Sequence, residues 1–217
     1  MSRFNTFRIS IEEYYRAHKR DLPWRKEVPV PYEVWLSEII LQQTRVAQGT
    51  PYFHKILQAF PSIESLAHAD EDKLLALWTG LGYYNRARNL QKGAKQIRTD
   101  FNGQLPEQYD ELLKIKGIGP YTAAAIASIC FKEEIGVVDG NVYRVLSRYF
   151  GISTPTNSTS GQSEFQALAN ACIQGTKNPG MYNQGIMEFG ALHCTPKKPN
   201  CMYCPLSDSC HAHNSGA

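Results

Sequence analysis

A chain of 217 residues that is 42% hydrophobic and 20% charged carries enough apolar material for one large domain, or two smaller ones, around a real core. No segment approaches the ~20 apolar residues of a membrane span, and the opening residues lack the apolar centre of a secretory signal. A reducing cytoplasm, or a nucleoid within it, is therefore expected. The formal net charge of +3 permits an anionic partner without requiring one, because affinity for nucleic acid depends on where the positive groups cluster.

Helical periodicity runs along the whole chain. Ser10 and Glu13 have capping-box spacing beside an apolar stripe at Ile11, Tyr14 and Tyr15, so a helix start is expected there. Residues 32–47, with Val34, Trp35, Ile39, Leu41 and Val46, predict one largely buried helix. Asp70 predicts an N-cap for a helix over 73–78 that Gly80 and Gly82 break. A long helix follows over 84–97, and Pro106 opens another at the first-turn position, where its missing N–H does no harm. Further helices fit 120–131, 141–150, 162–172 and 182–192. The short β-branched run 135–138, with Gly136 and Gly140 beside it, reads as a loop, as does the Ser/Thr-rich stretch 152–161. No stretch keeps a two-residue alternation, so the expected fold class is all-α.

Four of the six cysteines fall within seventeen residues as C-x6-C-x2-C-x5-C: Cys194, Cys201, Cys204 and Cys210. In a reducing compartment, clustered cysteines are metal ligands more often than disulfides. Four thiolates can surround one soft metal centre, and Pro196, Pro199 and Pro205 stiffen the loops between them. Zinc ribbons pair two short knuckles across a longer gap; one knuckle in a consecutive run favours a [4Fe–4S] cluster over zinc. His193 and His211 flank this run as surface residues or, alternatively, as substitute ligands. Cys130 and Cys172 fall on apolar helical faces and read as small core residues.

Residues 113–123, Leu-Lys-Ile-Lys-Gly-Ile-Gly-Pro-Tyr-Thr-Ala, read as a helix, a Gly-x-Gly turn and a second helix. Gly117 and Gly119 let backbone N–H groups turn outward, Ile118 anchors the turn, and the helix starting at Pro120 adds its dipole. Together they suit a DNA phosphate. The alternative is a plain corner between two helices with no ligand.

That hairpin, then Val137-Val138-Asp139-Gly140-Asn141-Val142, then the cysteine run, resembles the helix-hairpin-helix DNA glycosylase superfamily over about residues 22–210. Three segments resemble its adenine DNA glycosylase (MutY-type) branch rather than the endonuclease III-like one: 22–25 (Leu-Pro-Trp-Arg), 35–44 (Trp-Leu-Ser-Glu-Ile-Ile-Leu-Gln-Gln-Thr) and 78–90, which begins Trp-Thr-Gly-Leu-Gly-Tyr-Tyr. The resemblance implies a six-helix barrel subdomain over 23–134 and a cluster-bearing subdomain formed by 1–22 and 135–217. It also implies a monomer that binds duplex DNA containing mispaired adenine, across a cleft, with the adenine rotated out of the stack.

Breaking the bond between adenine and deoxyribose asks for an acid that protonates the departing base and a carboxylate that faces the cationic sugar. Glu38 lies among Trp35, Leu36, Ile39, Ile40 and Leu41, where desolvation would favour a retained proton. A helix-surface glutamate is the bland alternative; the resemblance implies the acid. Asp139 precedes a helix and serves equally as an N-cap. The resemblance implies that it stabilises the sugar and helps activate water, with Asn141 supporting it. Tyr121 stands where endonuclease III-like enzymes carry a lysine, and a phenol forms no Schiff base. Base removal without efficient strand cleavage is implied.

By the same resemblance Trp24 packs against the flipped base while Arg25 and Glu188 address its edge, although Trp24 also suits a core. Gln42, Gln43 and Tyr83, with Thr44 beside them, enter the duplex; of Tyr83 and Tyr84, one is expected to face DNA and the other the core. Lys197 and Lys198, between the first two cluster cysteines, read as a solvated charge pair or, if a cluster fixes that loop against the DNA backbone, as phosphate contacts. Members of this branch usually continue into a Nudix-like domain that reads 8-oxoguanine; with seven residues after Cys210, these 217 residues are expected to be the catalytic domain, either as a piece of a longer protein or as a natural short form. Two other readings compete: a thymine-mismatch or oxidised-pyrimidine glycosylase, and a non-catalytic DNA-binding module built on zinc.

Overall fold

A computed structural model describes residues 2–216. Among them there is no β-strand, and no helix is long and apolar enough to cross a membrane. The chain is all-α, as expected, and divides into two compact units: Asp21–Phe131, and Met1–Arg20 together with Lys132–Ala217.

The first of these units holds seven helices: α2 (Pro31–Leu41), α3 (Val46–Ala59), α4 (Ile63–Ala67), α5 (Glu71–Trp78), α6 (Asn85–Asp100), α7 (Tyr109–Leu112) and α8 (Pro120–Phe131). Two of them are buried almost all round: α2 over residues 32–40 and α8 over 122–128. A helix apolar on every side belongs in the middle of a core, and α2 packs against α8, α3 and α6. Trp35, Leu36, Ile40, Phe53, Ile56 and Trp78 are at most 1% exposed around them. Asp70 caps α5 by accepting from the Lys73 N–H at 2.9 Å, as its spacing predicts.

The other unit holds α1 (Arg3–His18), α9 (Gly140–Phe150), α10 (Thr159–Ile173), α11 (Pro179–Leu192), two 3-10 turns at Cys201–Tyr203 and Ser207–Ser209, and α12 (His211–Ser215). In α1 the residues Phe7, Ile11, Tyr14 and Tyr15 form one face, and that face packs along α11. Segment 132–139 is irregular, with Lys132 at φ 60° and Ile135 N donating to Glu133 O, and pairs with no strand. Its backbone is instead held by side-chain amides: Asn170 Oδ1 accepts from Gly136 N, Asn183 Oδ1 accepts from Val137 N, and Asn183 Nδ2 donates to Ile135 O. The β-branched run is a loop because these amides satisfy the groups a neighbouring strand would otherwise take.

Four expectations need correction. Ser10 lies inside α1, which starts about two turns earlier with Ser2 as its cap, because fully buried Phe7 extends the apolar face toward the N-terminus. Residues 32–47 are not one helix: α2 ends at Leu41, Gln43 takes a left-handed backbone (φ 56°), and α3 begins at Val46. Pro106 opens no helix; the chain turns through Asn102 and Gly103, both at positive φ, and becomes helical again only at Tyr109. The 152–161 loop is shorter than expected, since Ser158 caps α10 by accepting from Gly161 N.

Candidate functional site

Glu38 projects from the middle of α2 and is 9% exposed, beside Ser37, Ile39 and Ile40 at 0–2%. The core around it also holds Cys130 of α8. That thiol is pushed up to about 12, first by burial and then by the Glu38 carboxylate nearby. Cys130 is thus an inert core thiol, half-buried by surface, and Cys172 resembles it, fully buried and pushed up to about 12. Tyr121, in the first turn of α8, is half-buried.

The hairpin of residues 112–119 buries Leu112, Ile115 and Ile118 and exposes Lys114, Lys116 and Gly119. Gly117 is required twice over: its φ is +85°, and a Cβ there would lie 2.9 Å from Cβ of Asn89 on α6. Nothing lies within 4 Å of the corresponding position at Gly119, where the backbone opens to solvent at the start of α8. Orphan N–H groups of that first turn are available to an anion. Gln96, which sequence reading missed, clips the turn from both sides: its amide donates to Lys114 O at 3.0 Å and accepts from Lys116 N at 2.9 Å. Lys114 is engaged by Glu111 at 2.5 Å.

Gln42, Gln43 and Thr44 form the turn after α2, and Tyr83 follows the break after α5. Gln43 and Tyr83 are both exposed, and both adopt left-handed backbone without being glycine. Tyr83 is 65% exposed and Tyr84 37%, so neither tyrosine is core.

In the other unit, Asp139 is the N-cap of α9. Its Oδ1 accepts from Val142 N at 2.8 Å and its Oδ2 from the Asn141 amide at 3.0 Å. Asn141 in turn accepts from Arg144 Nη2 at 2.9 Å, and Arg144 donates to Gly190 O and, through Nε, to Cys194 O. A Cβ at Gly190 would lie 2.7 Å from that of Asn141, so glycine lets α11 close on this network. The carboxylate is thus tied, residue by residue, to the backbone of the cysteine-bearing tail. Arg144 carries no local sequence signal, because its partners lie far along the chain.

Cys194, Cys201, Cys204 and Cys210 line a single cavity of about 350 Å3 together with Phe189 and Leu206. The Cys204 thiol is pushed up to about 11, chiefly by burial; a backbone hydrogen bond at Leu206 opposes the shift, and Cys194, Cys210 and Cys201 add to it. Arg148 donates to Thr195 O, Pro196 O and Cys194 Sγ, while Cys210 Sγ donates to Arg148 O. Among the described residues, no group of three or more His, Cys, Asp or Glu is drawn together as a ready-made ion site. His193 is stacked on Phe189, its ring centre 5.1 Å away. His211 packs against Gly151. Lys197 and Lys198 are exposed.

Of the expected base-contacting residues, Trp24 is 8% exposed and meets Phe53 edge-on at 5.2 Å, while Arg25 is half-buried. Glu188 is 1% exposed, and both its oxygens accept from the Arg20 side chain at 2.7 and 2.8 Å. That bidentate contact raises the Arg20 guanidinium above its usual range.

A model of the HhH-GPD superfamily base excision DNA repair proteins matches residues 36–169, more than half of the chain. The chain belongs to the HhH-GPD superfamily. Beyond this superfamily match, it is 41% identical over 215 residues to the adenine DNA glycosylase of Rattus norvegicus, covering 95% of this chain and 42% of that protein. It is 42% identical over 205 residues to the adenine DNA glycosylase of Buchnera aphidicola subsp. Schizaphis graminum, covering 94% and 58%. The chain therefore spans about half the length of these curated relatives. Among solved structures, that of a thermostable thymine-DNA glycosylase is similar, with a TM-score of 0.87 and 28% identity over 96% of this chain and 95% of that one.

Proposed function

We propose that this HhH-GPD protein is a monofunctional adenine DNA glycosylase that removes adenine mispaired with 8-oxoguanine or guanine from duplex DNA. The observation that carries the reading is the pair of carboxyl groups in opposite surroundings, Glu38 within a buried helix and Asp139 among fixed donors at a helix cap. Glu38 gives its proton to the departing base. The N-glycosidic electron pair leaves with adenine, which departs neutral, and the sugar becomes cationic. Asp139 faces that charge and then takes a proton from the water that adds to the sugar. Asn141 fixes the orientation of Asp139.

Tyr121 supports hydrolysis without a lyase step, since a phenol forms no imine with the sugar. Gln42, Gln43, Thr44 and Tyr83 enter the duplex, and Gly117 and Gly119 present backbone N–H groups to phosphate. Trp24 and Arg25 address the base. Glu188, expected at the base edge by resemblance, is held by its bidentate pair with Arg20.

The four cysteines fit a [4Fe–4S] cluster. Four thiols line one cavity that carries no carboxylate among the described residues, a soft donor set that suits an iron–sulfur centre. Such a cluster would tie the tail together and hold Lys197 and Lys198 toward phosphate. Aerobically purified protein should contain about four iron atoms per chain and absorb broadly in the visible; colourless protein with stoichiometric zinc would contradict the assignment.

The likeness to a thymine-DNA glycosylase supports a second reading, excision of thymine from T opposite G. Duplexes carrying A opposite 8-oxoguanine, A opposite G, and T opposite G separate the two. Cleavage confined to the adenine strand, and only after alkali, is expected. Release of thymine supports the second reading. Direct cleavage with borohydride trapping contradicts hydrolysis without lyase.

A further inference from the structure

Arg86, in the first turn of α6, reaches two separate turns with one guanidinium. Nη1 has four acceptors within hydrogen-bond distance, Ile39 O at 3.2 Å, Ile40 O at 2.8 Å, Thr44 Oγ1 at 3.3 Å and, closest, Gln42 O, among which its two N–H groups are shared. Nη2 donates to Leu81 O and Gly82 O, both at 3.2 Å. The carbonyls of Gln42 and Gly82 belong to the peptide units that lead into Gln43 and Tyr83. Those two residues are exposed and sit in left-handed backbone, at φ 56° and 48°. For a residue bearing a Cβ that conformation is strained, and it persists only where the surroundings over-determine it. Trp78 assists: its indole N–H donates to Gly82 O at 3.1 Å, and its ring lies 5.5 Å from the guanidinium carbon. Tyr83 covers the guanidinium from 5.6 Å.

We propose that Arg86 is a positioning residue, a single fork that holds Gln43 and Tyr83 in register with each other so that both enter the duplex together. This rests on the reading of those two residues as the duplex-entering pair. The chemistry asks for arginine specifically. Its planar guanidinium presents donors in two directions at fixed spacing, whereas a lysine ammonium is a point charge on a flexible stem. Burial lowers the Arg86 guanidinium from its usual value, and Tyr83 opposes the shift. It remains charged and is spent on neutral carbonyls rather than on a carboxylate, which fits a bracket better than a surface ion pair.

The test compares Arg86→Lys with Arg86→Gln, each alone and in a Gln43→Ala/Tyr83→Ala background, using single-turnover excision of adenine opposite 8-oxoguanine. Either Arg86 substitution alone should slow excision about a hundredfold, the cost of misplacement at about 1 Å. Arg86→Lys should not rescue the loss seen with Arg86→Gln. In the double-alanine background either change should cost less than about threefold, because the groups Arg86 positions are already gone. A full further hundredfold loss in that background would overturn the proposal, placing Arg86 in the chemistry or in the general stability of the unit. A readout independent of activity is amide hydrogen exchange. Faster exchange in 41–44 and 80–84 together, with the middle of α2 and α6 unchanged, supports the bracket; unchanged exchange, or a rise throughout the unit, overturns it. If the unaltered protein excises no adenine, the functional reading fails, and hydrogen exchange still judges the bracket alone.

Discussion

Glu38 and Asp139 carry the same chemical group in opposite settings. Glu38 sits within a helix buried over residues 32–40. Asp139 stands before its helix, and each oxygen receives a donor, from Val142 and from Asn141. Burial among apolar side chains suits a carboxyl that keeps a proton to give. Donors fixed in space suit a carboxylate whose direction matters. The lesson is that role is written in surroundings more than in residue type, so substitutions that preserve shape and change only the group should separate the two positions cleanly.

The largest effects should come from those substitutions. Glu38→Gln should lower single-turnover excision by at least about 10²–10⁴-fold, the usual scale for losing a general acid, while thermal stability should change little because an uncharged acid is replaced by an amide of the same shape. Asp139→Asn should also abolish excision. Asparagine caps a helix about as well as aspartate, so the melting temperature should barely move. A large fall in stability for Asp139→Asn would make the residue a structural cap first and break the comparison. Retained turnover in Glu38→Gln would break it from the other side.

Arg20→Met should be next. It leaves Glu188, 1% exposed, without its bidentate partner. Because Arg20 itself is 37% exposed, solvent tempers the loss, and a destabilisation of about 1–3 kcal/mol is expected by denaturant titration. Gly117→Ala follows. Positive φ and the 2.9 Å approach to Asn89 should cost about 1–2 kcal/mol and weaken duplex binding with it. Smallest is Lys197→Ala with Lys198→Ala. Duplex affinity should fall modestly, and the slope of log affinity against log salt should flatten by about one for each lysine that contacts phosphate. An unchanged slope would remove both from the interface.

Features with a local cause could be read from the residues alone. Asp70 caps α5 because an N-cap acts three residues away, and Gly117 was legible because a left-handed turn needs glycine. Segment 135–138 was correctly taken as a loop, although the amides that hold it, Asn170 and Asn183, lie some 34–46 residues further on. What escaped depends on contacts distant in sequence. The end of α2 at Leu41 is set by the left-handed turn at Gln43 and by Arg86, 44 residues beyond Gln42. Gln96 and Arg144 likewise act on backbone carbonyls or side-chain amides that no spacing rule reaches. Ser10 misled because its capping-box spacing was real, while Phe7, one turn earlier, decided the helix start. At the candidate site, the roles of Glu38 and Asp139 follow from the resemblance, since their sequence neighbours equally suit a helix-surface glutamate and an N-cap, and the network from Asp139 through Asn141 and Arg144 to the Cys194 carbonyl exists only in three dimensions.

The most direct test is single-turnover incubation of the protein with a duplex carrying adenine opposite 8-oxoguanine, with and without alkali, alongside its Glu38→Gln and Asp139→Asn variants. The account predicts cleavage of the adenine strand only after alkali by the unaltered protein, and none by either variant, with all three binding the duplex. Normal release of adenine by either variant would contradict the division of labour between the two carboxyl groups.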